Sequence, residues 1–245
     1  MHQGKKIKVY SEIAYLLALI LLSLAVAILT AADFGISMIV APAYLLSLKL
    51  GSVTFGQAEY IIQAGLMILL CCALRKVKIV YLMSFVTCLI YGWVLDLWRT
   101  LPCFDPAVTV PGSMNIFLRI GMFVIGVLLT SFSIALFFKT YLYPQVYDFF
   151  VKAVSQRYGI KLSAFKTVFD IVCLLVSIAM TFVFFGKLVG VNWGTLVMAV
   201  FDGSIIGFIS DMLDKRIEFQ PYFKGFAKHF VLSANESAQS DYRNA

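Results

Sequence analysis

Hydrophobic residues in this chain fall into long unbroken runs separated by short polar or glycine-containing breaks. Six runs are long enough to cross a bilayer as helices: about 13–32, 55–74, 79–98, 116–138, 165–185 and 193–213. Two shorter stretches behave differently. Residues 36–50 are apolar, but Pro42 interrupts them; residues 143–158 carry Asp148, Lys152, Gln156 and Arg157 among Tyr143, Tyr147, Phe149, Phe150 and Tyr158. The first is too short to span and the second too polar to face lipid, so both read as re-entrant or interface-lying helices. Residues 99–115, with Pro102, Pro106, Pro111 and Gly112, form a loop between two halves, about 13–98 and 116–213. An amphipathic tail (214–232) and a polar segment expected to be disordered (233–245) complete a single transmembrane domain over 1–232.

The two halves repeat weakly. Ser23 falls opposite Ser131, Gly51 opposite Gly159, and Gly56, Glu59 and Gln63 opposite Ser163, Lys166 and Asp170. Gly92 to Leu97 matches Gly207 to Met212. Each half then reads as span, short piece, span, span. Three spans per half puts the halves in opposite orientations, an arrangement common among transporters. The expected fold is an all-α integral membrane protein with six transmembrane helices in a 3+3 inverted-topology repeat, each half holding one short re-entrant or interfacial helix.

Composition agrees. The chain is 61% hydrophobic and 13% charged, with a mean hydropathy of +0.91, a balance no soluble globular domain shows. Its net charge of +7 comes from basic residues in short runs between apolar segments, which sets membrane orientation and gives no reason to expect a nucleic-acid partner. With Lys5, Lys6, Lys8, Arg75, Lys76, Lys78 and the tail from Lys215 on one side, the positive-inside rule places both termini in the cytoplasm. The first apolar run is too long for a signal-peptide core and is expected to be a retained helix. Cys71, Cys72, Cys88 and Cys173 lie in apolar runs and Cys103 stands alone in a loop, so neither a disulfide framework nor a metal site is expected.

The polar residues inside the runs carry any chemistry. Asp202 sits about nine residues into the last run, near mid-bilayer, where a carboxylate is costly unless it faces a cavity or a partner. Gly194, Ala199, Gly203 and Gly207 form a small-residue row on the same helix, and the rest of the chain is expected to enclose it. Glu59 and Gln63 share one helical face, as do Lys166 and Asp170. The alternatives for these faces are a substrate path or plain snorkelling and an intrahelical ion pair. Asp33 is expected to cap the N-terminus of the short embedded helix, or that helix end presents free N–H groups to an anion. Asn192 and Thr195 bracket the start of the sixth run in the same way. Asp96 and Asp211 read as boundary residues. There is no paired-histidine metal site, phosphate loop or Ser-His-Asp arrangement, so no enzyme activity and no cofactor is expected.

Two glycine motifs carry a family resemblance. Gly51-Ser52-Val53-Thr54-Phe55-Gly56 after the Asp33-Phe34-Gly35 turn, and Gly194-Thr195 with Ala199, Gly203 and Ile206, resemble signatures of the YczE/YyaS/YitT family of bacterial membrane proteins. Ser204 departs from the pattern, in which proline often follows the late glycine. The resemblance implies a multi-spanning protein of the bacterial inner membrane and supplies little chemistry.

Two functions are expected from these readings. The first is a transporter or substrate-binding membrane subunit for a small polar or anionic metabolite, with proton coupling as one use of buried carboxylates. Asp202, Glu59, Gln63 and Asp170 would line its path, and Asn192, Thr195 and Asp33 would stand at helix mouths. The second is a non-transporting scaffold, docking a membrane partner through the basic, aromatic 143–161 segment or binding anionic lipid there. A homo-oligomer fits either.

Overall fold

A computed structural model describes residues 7–75, 79–108, 110, 113–142 and 145–223. Expectations about Lys5, Lys6, Lys76, Lys78, Tyr143, the 233–245 tail and residues 224–232 fall on residues outside these. The described residues form eight helices and two short strands: β1 (Ile7–Tyr10), α1 (Ser11–Ala32), α2 (Ala41–Leu50), α3 (Phe55–Leu74), α4 (Ile79–Arg99), α5 (Ile116–Lys139), α6 (Val146–Arg157), α7 (Leu162–Phe185), α8 (Trp193–Arg216) and β2 (Ile217–Gln220). Six of the helices, α1, α3, α4, α5, α7 and α8, are long and apolar enough to cross a membrane. The 10-residue α2 and 12-residue α6 are about 15 and 18 Å long, too short for a hydrocarbon layer of about 30 Å.

The helix ends follow from local chemistry. Thr54 accepts from the Gln57 N–H at 3.1 Å while Gln57 Oε1 accepts from the Thr54 N–H, a capping box that starts α3. Gly51 ends α2 at φ +64°, and Gly159 follows α6 at the same φ, so the glycines paired by the repeat make the same kind of exit. Asp96 ties α4 to the start of α3, accepting from the Thr54 hydroxyl and, at 2.8 Å, from the Gly56 N–H. It is the boundary residue expected, and its task is to satisfy a helix N-terminus.

The centre of the bundle is α1, not α8. In α1, 56% of the most apolar window is buried, against 11% in α8. Ala14, Ala18, Ala25 and Ala32 are all buried on α1, and this small stripe lets α5 lie against it along much of its length. Gly126 of α5 meets Leu29 of α1 so closely that an added Cβ would sit 2.7 Å from Leu29 Cγ. The glycine row of α8, by contrast, is only half used. Gly194 packs under Phe34 and Phe123, whereas Gly203 and Gly207 have no neighbour within 4 Å of a Cβ position. Gly207→Ala is therefore expected to leave the melting temperature unchanged or slightly raised, within about 1 kcal/mol, since nothing opposes the new methyl and alanine is the better helix former. A substantial loss would show that α7 closes on this face.

Packing pairs recur between the halves. α1 packs on α4 as α5 packs on α8; α2 on α3 as α6 on α7; and α3 on α6 as α7 on α2. The correspondence fails at two places. α4 packs on α6, while their counterparts α8 and α2 do not form a packed pair. α3 and α4 pack tightly through Gly56 and Gly92, while their counterparts α7 and α8 do not form a packed pair.

Both ends of α8 are tied to α1. At one end β1 and β2 pair in parallel, Ile7 opposite Ile217 and Tyr10 opposite Gln220. This puts the two ends of the described chain at the same end of the bundle. Glu12 reinforces it, accepting from the Tyr141 hydroxyl and from the Tyr222 and Phe223 N–H groups, the last two at 3.1 Å. At the other end the Gly194 N–H donates to Phe34 O at 2.9 Å, and Trp193 stacks against Phe34 and Phe123.

Candidate functional site

A cavity of about 470 Å³ lies at the middle of the bundle, bounded by α1, the 37–40 linker, α4, α5, α6, α7 and α8. Much of its wall is apolar, from side chains such as Leu22, Val26, Ile134, Phe137, Met198 and Ile206. Its charged residues come from three different helices: Asp148 on α6, Lys166 and Asp170 on α7, and Asp202 on α8. Lys166 Nζ stands 3.8 Å from an oxygen of both Asp148 and Asp170, so one ammonium is shared by two carboxylates. The Ser131 hydroxyl of α5 donates to Asp202 Oδ1. Asp202 has no ion-pair partner among the described residues.

Behind this wall lies a second polar group with no water access. Glu59 and Gln63 are both 0% exposed on α3, one turn apart as their spacing requires. Gln63 Nε2 donates to Glu59 Oε2 at 3.0 Å and to Gln145 Oε1 at 3.3 Å, and Gln63 Oε1 accepts from the Val146 N–H at 3.1 Å. The Tyr147 hydroxyl donates to the same Glu59 oxygen at 3.0 Å. The snorkelling alternative therefore fails for Glu59. Instead, these two residues satisfy and hold the N-terminus of α6, whose Gln145 and Tyr147 line the cavity. The burial of Val146, Tyr147, Phe150, Val151 and Val154 favours the re-entrant over the interface-lying alternative for α6. The buried side packs into the protein, against α3, α4 and α7.

Asp33, Asn192 and Thr195 come together elsewhere, at a packed junction that is not part of the cavity wall. Asp33 caps no helix N-terminus. It is the left-handed C-cap that follows α1, at φ +55°, and α2 starts eight residues later, at Ala41, with no side-chain cap. Arg119 Nε donates to Ala32 O at 2.8 Å and Arg119 Nη2 to Asp33 O at 3.1 Å, and the guanidinium lies 3.7 Å from the Asp33 carboxylate. Burial pushes the Asp33 carboxyl above its usual range, and Arg119 opposes the shift. Asn192 Nδ2 reaches Asp33 O at 3.5 Å, and Thr195 is fully buried, its Oγ1 2.4 Å from where a Cβ on Gly35 would stand. Gly35, at φ +105°, is required there on both counts. The junction has no room for an anion at a free helix end.

Of the seven candidate residues, then, Asp202 and Asp170 face the cavity, Glu59 and Gln63 support its wall, and three belong to a structural joint. Tyr91, Thr130, Gln145, Tyr147 and Ser131 also belong to the site and are not among the seven. Their side chains are uncharged, and nothing in their spacing marks them. The one available signal was the polarity of 143–158, which must be satisfied inside the protein if it is embedded.

The model of a family of unknown function, DUF6198, matches residues 9–211. No curated protein and no solved structure matches the chain.

Proposed function

The chain belongs to this family of unknown function, and we propose from that premise that it is a membrane transporter for a small polar metabolite. One observation carries the reading: a cavity drawn from both halves of the chain and lined by Asp148, Lys166, Asp170 and Asp202. Intramembrane charges are expensive, and those that face a shared cavity commonly mark a substrate or ion path. Carboxylates outnumber ammonium groups there, which favours a neutral or cationic solute over an anion and leaves room for proton coupling.

The halves act as an inverted repeat, three spans each, with α3 closed on α4 in the first and α7 apart from α8 in the second. Alternating access would exchange these two conditions around the central site. The kinship with YczE/YyaS/YitT proteins suggested by the glycine motifs adds architecture and no substrate. The distribution of lysine and arginine supports cytoplasmic termini, and the family resemblance supports a bacterial inner membrane. The scaffold reading is the weaker one, because Tyr147 and Phe150 of the segment on which it would dock a partner are buried.

The test is uptake. Proteoliposomes challenged with a pool of polar metabolites are expected to accumulate particular solutes that protein-free vesicles do not, and Asp202→Asn should cut that accumulation at least tenfold. Vesicle contents indistinguishable from the protein-free control across the pool would sink the proposal.

A further inference from the structure

We propose that the central cavity takes an organic amine cation with an apolar body and a hydroxyl group, a substrate class that rests on the transporter reading above and narrows it. Charge comes first. Three carboxylates, Asp148, Asp170 and Asp202, line the space with one ammonium, Lys166, so with all four ionised the wall carries two uncompensated negative charges. Lys166 is already divided between two of the carboxylates at 3.8 Å each. Asp202 accepts from the Ser131 hydroxyl, which cannot neutralise it, and Lys166 acts on it only from beyond ion-pair distance. A wall of this sign, with apolar side chains around it, repels an anion and attracts a cation.

Size and shape separate an organic cation from an inorganic one. The carboxylates are spread over α6, α7 and α8 around about 470 Å³, and among the described residues no three ligating side chains draw together as a metal ion requires. A space of this volume with largely apolar walls suits a molecule that has a hydrocarbon body of its own.

Unpartnered hydrogen-bonding atoms provide the second, independent indication. Tyr91 Oη, Thr130 Oγ1 and Gln145 Nε2 are buried and without a hydrogen-bond partner, and all three residues line this cavity. Their residues are 1%, 3% and 7% exposed. Buried polar atoms in folded proteins are nearly always paired, so these three point to a ligand. The Gln145 amide needs an acceptor, whereas the two hydroxyls take either role. A hydroxyl on the ligand meets both demands at once. The site thus offers carboxylates for an ammonium, apolar wall for a hydrocarbon body, and hydroxyl and amide groups for an oxygen.

Three small probes with one aromatic body test this: tyramine (cation), tyrosol (neutral) and 4-hydroxyphenylacetate (anion). Binding to the full chain in detergent is measured by equilibrium dialysis against empty micelles, and uptake is measured in proteoliposomes. Tyramine should bind at least tenfold more tightly than tyrosol, and 4-hydroxyphenylacetate should not bind. Asp202→Asn should weaken tyramine at least tenfold and leave tyrosol within twofold. If that variant does not fold, Asp170→Asn carries the same expectation, and the ranking of the three probes on the unaltered protein stands by itself. Equal or tighter binding of tyrosol or 4-hydroxyphenylacetate overturns the amine class, as does unchanged tyramine binding in both variants or binding of none of the three. Uptake of tyrosol or 4-hydroxyphenylacetate with weaker tyramine binding would leave the transporter standing and remove the amine. The predicted ranking with no solute accumulating in vesicles would do the reverse.

Discussion

Gln63→Leu will lower the stability of the detergent-solubilised protein by about 3–5 kcal/mol, among the largest losses a single change can cause here. The side chain has no exposure and makes three contacts that leucine cannot make: to Glu59 Oε2, to Gln145 Oε1 and to the Val146 N–H. Each partner is left behind in a dry interior, and a buried polar group without its partner costs about 1–3 kcal/mol. The Val146 N–H is one of the orphan donors at the start of α6, so its loss also loosens the helix that brings Gln145, Tyr147 and Asp148 to the cavity. Thermal or denaturant unfolding with a helical readout measures the loss, and a drop below about 1 kcal/mol would mean that α6 is held chiefly by its apolar face. Ligand binding should weaken with stability, because the cavity wall and its support share these atoms.

Gly56→Ala will be nearly as damaging, although it adds one methyl group. A Cβ at this position would stand 2.1 Å from Gly92 O and 2.6 Å from Asp96 Oδ2. The first obstacle is backbone and cannot rotate away, so α3 and α4 must part. Separation also breaks the bonds from Thr54 and the Gly56 N–H to Asp96. Overpacking of this kind costs about 1–3 kcal/mol or more. The same change at Gly207, which corresponds to Gly92, the residue Gly56 packs against, meets empty space. A melting-temperature difference between the two alanine variants reports directly on the closed and open helix pairs; equal effects would mean that α7 and α8 close in solution as α3 and α4 do.

The spans were legible because a run of about twenty apolar residues has only one use, and glycine, aspartate or asparagine marks most of its ends. Asp33 ends α1, Thr54 opens α3, and Asn192 opens α8, all at places the composition breaks. The short pieces at 36–50 and 143–158 became α2 and α6 because length and polarity decide whether a helix can cross. The depth order of the spans was not legible. In oil, large apolar side chains suit either lipid or protein, so hydropathy does not separate a central helix from a peripheral one. The glycines of α8 drew attention away from the alanine stripe of α1, the row that is buried. Asp202 and Asp170 could be picked out because charge at membrane depth is rare. Tyr91, Thr130 and Gln145 could not, since neutral polar residues are common in such helices and only the fold brings these three together. Asp33 was misassigned because the turn after it continues for several residues before α2 begins, which left it ending one helix instead of starting the next.

The two tethers on α8 decide which element can move. The β1–β2 pair fastens its end after Arg216, and the Gly194–Phe34 bond with the Trp193 stack fastens its start. A rod pinned at both ends to α1 does not swing relative to α1. Any narrowing of the space beside Gly207 would therefore come from the other side, by α7. Lys166 and Asp170 would ride on that moving wall while Asp202 stays with the stationary one, so each stroke would change the spacing between opposed charges and give a bound cation two different holds.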